Sequence, residues 1–94
     1  MEGGTKMAER YDVAVRVISQ DGTCVQEHKV GDEWIIRKQT PEGMCLSAFN
    51  ALYPFMRVLM FGGAFPWDAD PDVTTVACPD AKNPVVFELR RIRK

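Results

Sequence analysis

Alternating apolar and polar positions predict strands near both ends of the chain. Over Tyr11–Ser19, three valines alternate with polar or small side chains, and this period of two in β-branched residues is typical of a strand. The segment Val85–Ile92 alternates in the same way and predicts the last strand. Weaker alternation predicts two more strands, over Glu33–Lys38 and Val73–Cys78.

The middle of the chain has the period of a helix instead. Its apolar side chains recur at spacings of four and three residues, so they form one stripe on a helix. Thr40 is a typical N-cap residue, and Gly62 is typical of a helix end. Pro54 removes one backbone hydrogen bond and predicts a kink, or a division into helices over 44–52 and 54–61. The stripe consists of Cys45, Phe49, Leu52, Met56 and Leu59.

The element order ββαββ predicts an α+β fold in which one kinked or split apolar helix packs on a small antiparallel sheet. A chain of 94 residues is long enough for one domain with one hydrophobic core. Within this chain, we expect residues 1–9 to be a flexible leader and residues 10–94 to form the domain.

The predicted helix is apolar around most of its circumference, which favours a homo-oligomer. A four-stranded sheet covers one side of a helix, so a second subunit or a loop must cover the other sides. The alternative is a monomer in which the aromatic loop with Phe65 and Trp67 folds over the helix. The clearly polar residues of the helix are Ser47, Asn50 and Arg57.

Composition and charge argue against several classes of protein. With 46% hydrophobic and 27% charged residues, the chain has the composition of a globular protein rather than of a disordered one. A net charge of −1 predicts no binding to nucleic acid or to a membrane surface. The short basic segment from Arg90 to Lys94 fits the outer face and the tip of the last strand. Three cysteines without an export signal predict free thiols and a cytoplasmic location.

Cys45 is the first candidate for chemistry. Unpaired amides and the dipole at a helix start favour a thiolate, which is the nucleophilic form of cysteine. The alternative is that Cys45 is a small core residue at the start of the apolar stripe. His28, the only histidine, is a candidate general base for Cys45, and Asp80 or Asp32 is a candidate for orienting the His28 ring. The alternatives are a solvent-exposed His28 and an Asp80 that binds the backbone of its own turn.

The three cysteines also suggest a metal site. Cys24, Cys45 and Cys78, with or without His28, would form a zinc or iron site if the fold brings them together. Structural zinc sites usually take their ligands in close pairs, and here only Cys24 and His28 are close in the chain. Separate buried thiols are the alternative, and no motif indicates an organic cofactor.

Four short motifs stand out in the chain: Pro41-Glu42-Gly43-x-Cys45, Leu52-Tyr53-Pro54, Phe61-Gly62-Gly63-x-Phe65-Pro66-Trp67 and Cys78-Pro79-Asp80. Together they resemble those of a family of small prokaryotic proteins of about this length that has no established activity. The resemblance implies thiols at the positions of Cys24, Cys45 and Cys78, but no reaction or substrate. It also implies a small pocket with aromatic walls, for which the candidates are Tyr53, Phe65 and Trp67.

Three functions therefore stay open. The first is a Cys-dependent redox or small-molecule-handling module in which Cys45 is reactive. The second is an oligomeric protein-interaction module with structural cysteines, whose aromatic loop docks a partner. The third is a metal-binding domain that uses Cys24, Cys45 and Cys78. The motifs do not decide whether the protein is an enzyme.

Overall fold

The computed structural model describes residues 10–22 and 28–93. They form one helix and a four-stranded antiparallel sheet, which confirms the predicted α+β fold and the order ββαββ. The leader predicted over residues 1–9 lies outside the described residues, as does Cys24. The elements are β1 (Asp12–Gln20), β2 (Glu33–Ile36), α1 (Leu46–Met60), β3 (Val73–Ala77) and β4 (Val85–Ile92).

The strand order across the sheet is β2-β1-β4-β3, so the two longest strands form its centre. Val15 lies opposite Leu89 and Val17 lies opposite Phe87, which puts the apolar positions of β1 and β4 on one face. Helix α1 packs on this face and connects the two edge strands. The core residues are Val13, Val15, Val17, Ile36, Ala48, Leu52, Met56, Leu59, Met60, Val85, Phe87 and Leu89.

Helix α1 begins at Leu46 rather than near Thr40, and Cys45 is its N-cap residue. The preceding turn departs from helical geometry because Gly43 has a φ of +84°, in the left-handed region that favours glycine. Pro54 lies inside one continuous helix, so the predicted division into two helices does not occur. No helix in the described part of the chain is long and apolar enough to cross a membrane.

The loop after α1 covers one flank of the helix. Phe65 contacts Phe55, with ring centroids 5.5 Å apart. Three large apolar side chains on the outer side of the helix and at its C-cap remain exposed. They are Leu46 (82% exposed), Tyr53 (47%) and Phe61 (50%).

A buried arginine joins the end of α1 to the loop that follows. The side chain of Arg91 is 1% exposed, and its Nε donates to the carboxylate of Asp72 at 2.9 Å. Its terminal nitrogens donate to the carbonyl oxygens of Leu59 (3.0 Å), Gly63 (2.9 Å) and Pro71 (2.7 Å). The prediction that the basic segment lies on the outer face is therefore wrong for Arg91, because the alternation of β4 puts this residue on the helix side.

Candidate functional site

Two side chains from the first half of the chain hold the turn that leads into α1. The Nε2 atom of His28 accepts a hydrogen bond from the backbone N–H of Cys45 at 3.0 Å. The indole Nε1 of Trp34 donates to the backbone carbonyl of Glu42, also at 3.0 Å. The His28 and Trp34 rings pack edge to face, with centroids 5.2 Å apart. The start of the helix is therefore set by contacts from distant residues and not by a local cap at Thr40.

His28 is buried, with 4% of its surface exposed, and its ring also contacts Phe87 at 6.3 Å between centroids. The alternative of a solvent-exposed histidine is therefore wrong. Because Nε2 accepts a hydrogen bond, the neutral ring has its proton on Nδ1. His28 and Cys45 are neighbours, and the hydrogen bond between them uses the backbone of Cys45 and not its thiol. The role of His28 as a general base stays a prediction.

Cys45 is half-buried and packs against the core. It is the N-cap residue, and its side chain makes no capping hydrogen bond. The first turn of α1 contains no acidic residue. The positive end of the helix dipole therefore lies next to Cys45 without a first-turn carboxylate to neutralise it.

Cys78 and Asp80 organise the connection between β3 and β4. The Sγ atom of Cys78 accepts a hydrogen bond from the backbone N–H of Val85 at 3.3 Å. Asp80 accepts hydrogen bonds from the backbone N–H groups of Lys82 at 3.0 Å and of Asn83 at 3.2 Å. These two bonds, that of Lys82 first, hold the pKa of Asp80 below its usual value. Asp80 thus binds its own turn, and its catalytic role stays a prediction.

The metal hypothesis depends on a residue that the structure does not describe. Within residues 10–22 and 28–93, no three His, Cys, Asp or Glu side chains are grouped so as to hold a metal ion. Cys45 and Cys78 are free cysteines. Because Cys24 lies outside the described residues, the zinc or iron site formed by Cys24, Cys45 and Cys78 stays a prediction.

The aromatic side chains predicted to wall one pocket lie in two places. Phe65 stacks on Trp67 with centroids 5.0 Å apart, and both belong to the loop after α1. Tyr53 contacts Phe49 instead, at 5.7 Å between centroids. Tyr53 and Phe49 line a cleft beside α1, whereas Phe65 and Trp67 are not part of its lining.

This cleft lies between one flank of α1 and the segment that follows β2. Its volume is about 130 Å³, and it shares its rim with a wider groove of about 770 Å³. The floor is apolar, since Ile36, Met56 and Met60 are each buried. The aromatic rings of Phe49 and Tyr53 complete the apolar lining.

Four basic side chains surround the cleft, and no described acidic side chain lines it. Arg37 forms an ion pair with Asp12 at 3.2 Å. Arg10 donates to the backbone carbonyl of Arg37 at 2.7 Å, which holds its guanidinium at the rim. The guanidinium of Arg57 lies over the ring of Tyr53, 5.7 Å from its centroid. The four basic residues are Arg10, Arg37, Lys38 and Arg57.

Sequence patterns do not predict this cleft. Arg57 belongs to the polar strip of the helix, which is typical of a solvated face. Arg37 and Lys38 follow a strand, where charged residues are common. The one signal in the sequence is the pair of adjacent basic residues before the helix. Only the packing of α1 beside the end of β2 brings this pair close to Arg57.

Comparison of the chain with protein-family models, with curated proteins and with solved structures finds no match. The resemblance to the family of small prokaryotic proteins therefore rests on the four short motifs.

Proposed function

We propose that this protein is a small-molecule-binding module and that the cleft beside α1 is its ligand site. The observation that carries the proposal is a buried apolar floor next to a rim of basic side chains in one concave site. Ligand sites in proteins are concave and mostly apolar, and a few polar groups fix the orientation of the ligand. The lining of the cleft has this composition.

The size of the cleft limits the ligand. A volume of about 130 Å³ fits a body the size of one aromatic ring or a short alkyl chain. The wider groove of about 770 Å³ shares Arg10, Lys38 and Thr40 with the cleft, so a longer ligand could extend along it. Small-molecule sites usually have volumes of about 300–1,000 Å³, a range that includes the groove but not the cleft alone.

A ligand that fills only the cleft buries a small apolar surface, and this limits its affinity. A ring that buries about 100 Å² of apolar surface gains about 2.5 kcal/mol. Since a Kd of 1 mM needs about 4.1 kcal/mol, we expect single-ring probes to bind more weakly than that, with a Kd on the order of 10 mM. Such weak binding requires a method that detects millimolar affinity, such as NMR titration.

An NMR titration with small aromatic molecules tests the proposal. We expect the largest shift changes at cleft residues such as Phe49 and Arg57, and none at Trp67. Tyr53→Ala should weaken binding several-fold, because the Tyr53 ring lines the cleft. Trp67→Ala is the control, because its ring is exposed, belongs to the loop after α1 and is outside the cleft lining.

Two results would contradict this proposal. The first is equal binding by wild type and Tyr53→Ala. The second is a set of shift changes that maps to the aromatic loop around Trp67. That second result would favour a docking role for the loop instead.

Thiol chemistry at Cys45 is a second candidate function. The observation that favours it is the helix start beside Cys45, which has no side-chain cap and no first-turn carboxylate. The sulfur would form a bond to an electrophilic carbon, the leaving group would depart with its bonding pair, and the thiol proton would pass to solvent. Cys78, in contrast, follows strand β3 and has no helix start beside it.

Alkylation by iodoacetamide at neutral pH, followed by mass spectrometry, tests this second candidate. We expect Cys45 to react at least about tenfold faster than Cys78. Cys78→Ser should leave the rate at Cys45 unchanged. Equal rates at the two cysteines would remove Cys45 as a reactive residue.

Self-association and a cytoplasmic location complete the proposal. A second copy of the chain would cover the exposed apolar side chains of α1, of which Leu46 is the most exposed. Light scattering should then give about twice the chain mass of 10.6 kDa, and Leu46→Lys should lower it. A mass of one chain at all concentrations would contradict self-association. The free thiols of Cys45 and Cys78 fit the reducing cytoplasm.

A further inference from the structure

Three of the basic side chains at the cleft have no carboxylate partner among the described residues. Arg10, Lys38 and Arg57 form no ion pair with any described residue. Arg91, in contrast, is paired with Asp72 at 2.9 Å. Three positive charges beside an apolar floor favour the binding of an anion.

Contacts other than ion pairs hold two of these cations at the rim. Arg10 donates to the carbonyl of Arg37, which uses one of its five N–H donors. The guanidinium of Arg57 lies over two rings, 5.7 Å from the centroid of Tyr53 and 4.6 Å from that of Phe61. Stacking orients a guanidinium through its face, and the N–H groups at its edge remain the donors that bind an anion.

We infer that the ligand of the cleft is a small organic anion with an apolar body, namely an aromatic or short-chain carboxylate. This inference rests on the proposed function and adds the chemical class of the ligand. The apolar body contacts the floor of the cleft. The carboxylate receives N–H groups from Arg10, Lys38 and Arg57 at the rim.

The acidic side chains nearby do not cancel the positive charge. Asp12 and Glu42 line the wider groove but not the cleft, and Asp12 is already paired with Arg37. Cleft and groove together have four basic and two acidic side chains, in a chain whose net charge is −1. A cationic ligand would therefore be repelled, and a neutral ligand would not use the basic rim.

Paired NMR titrations of 3-phenylpropionate and 3-phenylpropanamide test the inference. The two probes share one apolar body and differ in the charge of the head group. We expect the carboxylate to bind about tenfold more tightly than the amide. Raising the ionic strength from about 0.01 M to about 0.15 M should reduce this advantage, because the Debye length falls from about 30 Å to about 8 Å.

A pair of lysine variants distinguishes the effect of a charge at the rim of the cleft from the effect of the net charge of the protein. Lys38→Gln should weaken binding of the carboxylate roughly twofold to fivefold and leave the amide unaffected. Lys82→Gln is the matched control, because Lys82 is an exposed lysine of the β3–β4 connection outside the cleft lining. An equal loss of carboxylate binding in both variants would show a general charge effect and overturn the inference.

The titrations also distinguish this inference from the proposed function. If the carboxylate and the amide bind equally well, the cleft remains a binding site and the inference about an anion fails. If neither probe binds, the inference and the proposed function fail together.

Discussion

The basic side chains beside α1 form two clusters with different surroundings. Near the end of the helix, Arg91 and Arg93 both donate to the carboxylate of Asp72. Along the flank of the helix, Lys38 and Arg57 lie at the rim of the cleft without a described carboxylate partner. The first cluster joins the loop, the helix end and β4, and the second surrounds an apolar depression.

Burial and partners explain this difference. The Arg91 side chain is 1% exposed, and each of its three nitrogens donates to an oxygen of the loop, the helix or Asp72. A buried cation with four of its five N–H donors in use has little to offer a ligand, and it is costly to remove. Exposed cations without partners add little to stability and keep their donors for an anion. Partners, and not the number of charges, therefore separate the structural cluster around Asp72 from the cluster at the cleft, whose donors stay available.

The largest expected effect is that of Arg91→Met. The substitution removes one of the two arginine donors of Asp72 and the arginine donor of three backbone carbonyls, so we expect a loss of about 3–5 kcal/mol in the free energy of unfolding, measured in urea. Arg90→Met is the control, because the Arg90 side chain is 52% exposed with long ion pairs of 3.6 Å and 3.9 Å, and it should cost no more than about 0.5 kcal/mol. Equal losses of unfolding free energy in the two variants would contradict a larger structural role for the buried arginine.

Acid should weaken the Asp72 cluster over a defined range of pH. The hydrogen bond from Arg93, and then that from Arg91, lower the pKa of Asp72 from 3.8 to about 2. Because this pKa is lower in the folded state, the stabilisation is complete above about pH 4 and is lost as the pH falls towards 2. Asp72→Asn should be less stable than wild type at neutral pH, and the difference should shrink between about pH 4 and 2. A difference that stays constant over this range would contradict the lowered pKa.

The strands were predictable because their pattern is local. In β1 and β4 every second side chain faces the helix, and the alternation of apolar and polar residues in the sequence predicts which ones do. The bounds predicted for the last strand, Val85–Ile92, are those that the structure shows. The position of Arg91 on the buried side also follows from this alternation. Its burial was not predictable, because it requires the loop after α1 to close over it.

The start of the helix was not predictable for a similar reason. Local signals at Thr40 fit a helix start, but α1 begins at Leu46, where His28 and Trp34 hold the preceding turn. These two residues are distant from the turn in sequence, and only the packing of β2 brings them to it. The cleft likewise depends on the position of α1 beside Lys38, which no local pattern contains.

Arg57→Met should have an intermediate effect within the second cluster. The variant loses the interaction of the guanidinium with the Tyr53 and Phe61 rings and a positive charge in the last turn of α1. We expect a loss of about 0.5–1 kcal/mol in the free energy of unfolding, well below that of Arg91→Met. Urea unfolding of both variants in one buffer checks the order. A larger loss for Arg57→Met than for Arg91→Met would reverse the comparison.

Lys38→Gln should have the smallest effect on stability. Lys38 is exposed, forms no ion pair with a described residue and lines the cleft together with three other basic side chains, so its removal relieves repulsion. We expect a change within about 0.5 kcal/mol in the free energy of unfolding, with Lys82→Gln as the matched control in the same urea titration. A loss as large as that of Arg57→Met would mean that Lys38 has a structural partner. The basic side chains at the cleft would then resemble those around Asp72, and their charge would stabilise the fold instead of binding a ligand.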